Sequence, residues 1–359
     1  MKKMIFYYVL DLKETPISAS QLRPIKMLQG FKNLGYDVIE ITGDSKTRKS
    51  IISTLTDEIL KDVEFLYMES ATIPFFLTDR DHIPRNFLLE YNFFTYLREI
   101  YKIPVSVFYR DIHWKFVMSN FLVYLCHRIE LLYLKSVVDL VYLPSHNMQK
   151  YLKIFTMVND LPPGHSNTEN FTPSFPIGDA KHIWKLLYVG GLGYFYNLTT
   201  FFTSLSSLSN VHAVFSFRRE EWEKEKYHYE SSISNNTKIV FKSPQKISEC
   251  YSDSDIFILL INHIEYWDFA IPYKFYEAVG YGKPILASKG TIVAEIVERE
   301  NIGWVLENTK EAIVDFFRNL TFSEYLEKKN TIISYSKMNT WEQRCIKVEK
   351  DLGKLKRVL

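Results

Sequence analysis

The chain has 359 residues, 47% of them apolar, which is enough for two medium-sized domains with full cores and too apolar for a disordered chain. Its 44 basic and 42 acidic residues leave a formal net charge of +2, a balance that argues against nucleic acid as the main partner. The three cysteines, Cys126, Cys250 and Cys345, are widely separated, so they imply neither a disulfide framework nor a Cys-rich metal site and fit a reducing compartment.

Lys2 and Lys3 precede an apolar run, Ile5 to Leu10, which Asp11 ends too early for a signal peptide; the run reads as a first strand. From there, strand-like and helix-like runs alternate. Strands are expected near Met4–Leu10, Asp37–Thr42, Glu64–Met68, Pro104–Tyr109 and Asp139–Leu143. Helices fit between them at Gln21–Leu34, Thr47–Leu60, Asn86–Tyr101, Phe116–Lys135 and Asn147–Phe155. That order predicts α/β architecture with a parallel sheet. The longest uncharged helical run, Phe116 to Cys126, is too short to span a bilayer.

The loop after the fourth strand reads Phe108-Tyr109-Arg110-Asp111-Ile112-His113-Trp114, more chemistry than a connection needs. His113 can take or give a proton near neutral pH, although a loop histidine alone is more often structural or exposed. The other eight of the nine histidines lack the i, i+4 pairing of a zinc helix, and no metal site is assigned. No G-x-S-x-G or P-loop pattern occurs, which weakens hydrolase and NTPase readings. The segment Trp114 to Lys135 mixes aromatic and aliphatic residues with Lys115, His127, Arg128 and Lys135. It reads as a buried core helix, with contact to a membrane surface as the alternative.

A polar, Pro-containing stretch, Leu161 to His182, breaks the alternation and reads as an exposed linker. Beyond it, strands are expected near Lys185–Val189, Val211–Phe217, Lys238–Phe241, Asp255–Leu260, Pro284–Ala287 and Gly303–Leu306, giving one Rossmann-like domain on each side of the linker. The tail, Ser323 to Leu359, reads as one or two helices interrupted near Asn339.

In the second domain Tyr188-Val189-Gly190-Gly191-Leu192-Gly193 ends a strand, and glycines at such a turn let backbone approach a phosphate. A dinucleotide fingerprint would need glycine where Tyr196 stands, and a structural tight turn explains the glycines as well. Arg218 and Arg219 follow the next strand; they suit diphosphate oxygens, while each arginine alone is slightly better explained by a solvated helix start beside Glu220 and Glu221. Phe241 to Lys246, with Ser243 in its centre, offers backbone to frame a planar base or simply turns the chain.

The stretch Asp255 to Ser288 carries most information. A buried strand, Ile256 to Ile261, leads through a polar, aromatic loop to a helix from Pro272 to Gly280, and a second strand follows at Pro284. Strand, loop, helix, strand is a parallel crossover unit whose ligands bind at the strand's carboxyl end, against the helix start. Lys274 in the first turn opposes the helix dipole unless an anion binds there. Glu277 lies on the same face, so a carboxylate able to accept from sugar hydroxyls stands beside a cation; a surface salt bridge at i, i+3 is the alternative.

With these residues in place, the chain resembles a GT-B glycosyltransferase of the family 4 type over nearly its whole length, most strongly from Leu186 to Leu306. IPYKFYEAVGYGKPILAS is similar to the family's donor-site helix, P-x-K-x-x-E-x-x-x-x-G-x-P, with Pro272, Lys274, Glu277, Gly282 and Pro284 in those places. The resemblance implies that Glu277 holds the nucleotide ribose and that Lys274 meets the diphosphate, with Tyr273, Gly191, Gly193, Arg218 and Ser243 completing the donor site. It implies that His113 and Asp111 are the catalytic-loop residues, and that Ser18, Ser20, Arg110 and Trp114 face the acceptor. Ser18-Ala19-Ser20 replaces the family's glycine pair after strand one, Phe269 with Asp268 beside it replaces a frequent carboxylate, and YFYNL replaces a basic pair for which Arg218 or Arg219 would substitute.

The implied fold is two Rossmann-like domains with parallel sheets facing a central cleft. Residues 1–165 form the acceptor domain, 166–184 the linker, 185–335 the donor domain, and 336–359 a helix returning to the first domain. The implied activity is transfer of a hexosyl residue from a nucleotide-diphosphate sugar, a UDP-sugar ahead of a GDP-sugar, to a saccharide or lipid-linked saccharide. Retention of configuration and metal-independent chemistry follow from the same likeness, with no cofactor beyond the co-substrate. The implied setting is bacterial cell-surface polysaccharide synthesis in the cytoplasm, with peripheral contact at the inner face of the membrane and no nucleic acid partner. A non-catalytic sugar-nucleotide-binding subunit and a GT-B epimerase are the alternatives.

Overall fold

The computed structural model describes residues 2–12, 19–117, 121–166, 182–242 and 246–356, with the backbone alone at 19, 20 and 117. Two compact units emerge: residues 1–163 with 341–359, and residues 164–340.

Unit 1 is built on a six-stranded sheet in the order β2-β1-β3-β4-β5-β6. Its strands are β1 (Lys3–Tyr8), β2 (Asp37–Thr42), β3 (Val63–Glu69), β4 (Val105–Phe108), β5 (Leu140–Leu143) and β6 (Val158–Asp160), every neighbouring pair parallel. β4 and β5 are buried at every position, as strands covered on both faces must be, which explains their continuous apolar runs.

Two helical expectations are corrected here. Thr47–Leu60 is two helices, Ser45–Ser53 and Asp57–Lys61, because Thr56 accepts from the Ile59 N–H and restarts the helix with Asp57 and Glu58 in its first turn. The expected helix Phe116–Lys135 is helical in its described residues, which lie within Trp114–Val117 and Phe121–Val137. Asn147–Phe155 is a tighter 3-10 turn, His146–Tyr151, that anchors Met148 in the core and is followed by buried Leu152 and Phe155. Edge strand β6 was not expected; three residues are too few for a periodic signal.

The final helix, Trp341–Lys356, belongs to unit 1 and packs on the helix Ala19–Asn33. Gly30 permits the approach: a Cβ there would lie 2.7 Å from Cys345 Sγ, and that thiol donates to the Met27 carbonyl at 3.3 Å.

Unit 2 repeats the architecture with β7 (Trp184–Val189), β8 (Val211–Ser216), β9 (Thr237–Val240), β10 (Ile256–Leu259), β11 (Ile285–Ser288) and β12 (Gly303–Leu306). The order is β12-β11-β10-β7-β8-β9, again parallel throughout. Phe201, Phe202, Phe215 and Trp222 fill one face of the sheet, and Phe275, Val279, Ile296 and Val297 the other.

Candidate functional site

Unit 2 reverses its strand order between β7 and β10: the chain runs from β7 outward to β9, then returns to β10 and proceeds the other way. Loops leaving the two strands at such a point diverge and open a crevice at their carboxyl ends. Here the two loops are laced together by aromatic side chains. Trp267 Nε1 donates to the Phe195 carbonyl at 3.0 Å, and the Tyr196 and Trp267 ring centroids lie 5.1 Å apart. His263 Nε2 lies 2.7 Å from Asp268 Oδ1, while Phe269 is buried.

The helix Tyr273–Gly280 starts beside this crevice. Its N-cap is Pro272, which has no side-chain acceptor, and its first turn contains no acid. The three following helices of the unit are capped by Thr291, Thr309 and Thr321 instead. Lys274 Nζ donates to Glu277 Oε2 at 2.7 Å, and Tyr251 Oη donates to the same oxygen at 3.2 Å. Burial first, then Glu277, pushes the Tyr251 hydroxyl well above its ordinary range, so it remains a donor. Its ring stacks on Tyr281 at 4.4 Å. Both donors act on Oε2.

The glycine turn after β7 has a different electrostatic character. Gly193 sits at φ +94°, a left-handed conformation that favours glycine. Tyr188 Oη donates to the Gly191 carbonyl at 2.8 Å. A Cβ at Gly191 would lie 3.3 Å from Glu221 Oε2, and one at Gly193 would lie 3.6 Å from Glu225 Oε1, so two carboxylates face the turn. Arg218 is largely exposed and donates to Glu221 Oε1 at 2.7 Å, while Glu221 Oε2 is buried without a hydrogen-bond partner. Arg219 lies over the Phe241 ring at 4.3 Å. Ser243 is outside the described residues.

In unit 1 the loop after β4 meets the ends of β1 and β3. Arg110 N donates to Ser70 Oγ at 3.0 Å, and its guanidinium lies 3.6 Å from Glu69 Oε2. Arg23 Nε donates to Glu69 Oε1 at 3.0 Å, Tyr67 Oη donates there at 2.6 Å, and the Arg23 guanidinium lies 3.4 Å over the Phe108 ring. Two guanidinium groups thus share one buried carboxylate, with Arg110 Nε and Arg23 Nη1 lacking a hydrogen-bond partner. Asp111 Oδ1 accepts from the His113 backbone N–H at 2.9 Å, closing the loop, and the His113 side chain is exposed. Trp114 turns inward: it is buried and stacked on His127 at 4.8 Å, so its ring supports the loop from the core side and does not face an acceptor. Ser18 is outside the described residues, and only the backbone of Ser20 is described.

The lysines most perturbed by burial in unit 2 lie away from the crevice. Loss of hydration pulls Lys283 down to about 8 and Lys329 down to about 7. Lys283 Nζ donates to the Ser254 carbonyl at 2.6 Å, just before β10, and Lys329 Nζ donates to the Gly282 carbonyl at 2.7 Å, just before β11. Both are at the amino edge of the sheet, where they tie loops together.

Sequence reasoning found Lys274 and Glu277 because one helix carries both at i, i+3. It missed Tyr251, Glu221, Trp267, Arg23 and Glu69, which come from other elements and bear no local motif.

Two doubly wound parallel sheets in one chain, with the last helix returning to the first unit, constitute the GT-B fold of glycosyltransferases. Residues 175–338, within the second unit, match the family model described as Glycosyl transferases group 1. Over the whole chain the fold is similar to a glycosyltransferase from Rickettsia africae ESF-5 (TM-score 0.65, 14% identity, 99% of this chain and 98% of that one). It is also similar to Anabaena Alr3699/HepE in complex with UDP and glucose (TM-score 0.60, 12% identity, 99% and 100%). A third is WaaG, a glycosyltransferase involved in lipopolysaccharide biosynthesis (TM-score 0.58, 13% identity, 97% and 99%). No curated protein matches the chain.

Proposed function

We propose that the protein transfers a hexosyl residue from a nucleotide-diphosphate sugar to a saccharide or lipid-linked saccharide in cell-surface polysaccharide assembly, on the cytoplasmic side of the membrane. The observation that carries this reading is the helix Tyr273–Gly280, uncapped and acid-free at its start, with Lys274 and Tyr251 both holding Glu277 Oε2 beside the β7/β10 switch point. The donor is a UDP-sugar ahead of a GDP-sugar, a choice supported by the UDP bound in the Anabaena structure.

In this reading the ribose hydroxyls donate to Glu277 Oε1, and the diphosphate meets the helix N–H groups and Lys274. As the bond from the anomeric carbon to the diphosphate breaks, charge grows on the leaving oxygen, and those fixed positive groups stabilise it without reorganising. An acceptor hydroxyl oxygen bonds to that carbon from the same face, its proton passing to the departing diphosphate. Configuration is retained and no metal is required. Tyr273, Gly191, Gly193 and Ser243 belong to the donor site, and Glu221 Oε2 is an added acceptor for a donor-sugar hydroxyl. Arg110, Ser18 and Ser20 contact the acceptor, His113 orients it, and Asp111 holds the His113 loop.

Titration calorimetry with UDP tests the site. Glu277→Ala and Lys274→Ala each remove a charge-assisted contact and are expected to weaken binding roughly 10- to 100-fold. Affinity and turnover unchanged in both variants would falsify the assignment. A second reading, a non-catalytic nucleotide-sugar-binding subunit, is favoured by one observation: Arg218 pairs with Glu221 and Arg219 stacks on Phe241, which leaves the family's missing basic pair unreplaced at the helix start. UDP binding without turnover, over a panel of donors and acceptors, selects that reading.

A further inference from the structure

Unit 1 has a switch point of its own. Its chain runs from β1 outward to β2 and returns to β3, so the strand order reverses between β1 and β3. At the carboxyl ends of these strands Tyr8 is registered against Glu69, and Glu69 against Phe108 of β4. The crevice at such a point is where an open parallel sheet takes its ligand. Two arginines reach it from different elements, Arg23 from the helix Ala19–Asn33 and Arg110 from the loop after β4.

Their charge is not balanced. Among the described residues Glu69 is the only acid paired with either arginine. The Glu69 side chain is 0% exposed and that of Arg23 6%, so one positive charge is left over where water solvates it poorly. Burial pulls the Arg23 guanidinium down, but Glu69 and Tyr67 outweigh it and hold the group above its ordinary value, so it stays charged. Burial also holds the Tyr8 hydroxyl above its ordinary range, against the pull of Arg110, so Tyr8 adds no negative charge.

The hydrogen bonds are incomplete as well. Arg23 Nη1, Arg110 Nε and Arg110 Nη2 are buried without an acceptor among the described residues. Arg110 Nη2 and Glu69 Oε2 stand 3.6 Å apart, so a small shift joins them, but Arg110 Nε and Arg23 Nη1 still lack acceptors. The same unit shows that this fold can satisfy a buried arginine. Arg48 Nε donates to Tyr7 Oη at 3.1 Å, Nη1 to the Val9 carbonyl and Nη2 to Glu90 Oε1, each at 2.9 Å. Arg48 is a structural brace with every nitrogen used. Arg23 and Arg110 keep spare donors and surplus charge, and the Arg110 side chain, 12% exposed, carries them to solvent.

We propose that this cluster binds an anionic group on the acceptor saccharide, a carboxylate or a phosphoryl group, with Arg110 Nε and Nη2 and Arg23 Nη1 donating to its oxygens. The guanidinium fork matches the paired oxygens of either anion. The assignment rests on the proposed role of unit 1 in holding the acceptor, and it narrows that acceptor to an acidic one. A uronic acid and a sugar phosphate present the same chemistry, and the experiment separates them.

The full chain, without UDP, is titrated against methyl glucuronide, glucose 6-phosphate and the neutral methyl glucoside by ligand-observed NMR. At least one acidic sugar is expected to bind about tenfold tighter than the glucoside, and which one does so tells carboxylate from phosphoryl. Arg110→Gln is expected to reduce acidic-sugar binding to the level of the glucoside. Arg110→Lys keeps the charge but not the fork and is expected to recover part of the loss. The preference of wild type for an acidic over a neutral sugar needs no variant, so it tests the charge even where a substitution impairs folding. UDP affinity, measured by calorimetry, reads unit 2 separately, so a failed donor-site assignment leaves this comparison standing. Equal binding of all three sugars, binding of none, or acidic-sugar binding that Arg110→Gln leaves intact would each overturn the proposal.

Discussion

Lys274 shows how one side chain marks a ligand. A cation in the first turn of a helix meets the positive end of the peptide dipoles, and in the structure Glu277 Oε2, 2.7 Å away, offsets the conflict. In the proposed function a bound diphosphate offsets it further, so removing either residue is expected to be felt in UDP affinity more than in stability. Lys329 shows the opposite case, a perturbed amine with a structural task. Its amine falls from an ordinary 10.5 to about 7 because burial disfavours its charge, and Lys283 adds to the effect. Between those values the unfolded chain binds more protons than the folded one, so this lysine's burial costs most below pH 7 and stability rises as pH increases toward 10.5. Thermal melts from about pH 6.5 to about pH 9 should therefore show a rising Tm in wild type and a shallower rise in Lys329→Met, with the variant more stable at the acid end. An unchanged slope in the variant would show that Lys329 is charged in the folded state.

Elements hold the same lesson at longer range. The helices Ser45–Ser53 and Leu89–Tyr101 are joined by a buried ion pair, Arg48 Nη2 to Glu90 Oε1 at 2.9 Å, with Tyr7 Oη donating to the same carboxylate oxygen at 2.8 Å. Arg48 also donates to the Val9 carbonyl at 2.9 Å, so its charge is spread over strand and loop. Breaking the pair from one side, as in Glu90→Gln, leaves a buried guanidinium and is expected to cost about 3–5 kcal/mol in urea unfolding. Arg48→Met with Glu90→Leu removes both charges and should cost less than the single change; a double variant that is worse would show that the pair itself stabilises unit 1. Central strands and most helices were legible as apolar runs and periodicity. The break at Thr54–Thr56 was not, because a cap is one residue inside an otherwise helical pattern. The outward face of Phe121–Val137 was not legible either: residues 121–126 are FLVYLC, apolar on every side, so the pattern names no inner face, and only packing against β4 and its loop shows which side is covered.

For the molecule as a whole, chain order and unit membership part company at the end. Residues 164–340 are continuous, whereas unit 1 needs residues 341–359 from beyond them. Trp341, Cys345, Val348 and Leu352 are all buried. A chain ending at Thr340 is expected to lose most of the stability of unit 1 while unit 2 folds and binds UDP. Scanning calorimetry would show one transition lowered by ten degrees or so and another, shifted upward by UDP, unchanged. Loss of both transitions would mean that the units do not fold independently. The helix start at Pro272 with Lys274 and Glu277 on one face could be read directly, and so could the α/β alternation, because both are written in local spacing and apolar patterning. The Tyr251 hydroxyl on Glu277, the carboxylates facing the Gly191 turn and the two arginines on Glu69 were decided by tertiary structure alone. Each joins side chains from separate elements, and only the order in which parallel strands pack brings those elements together.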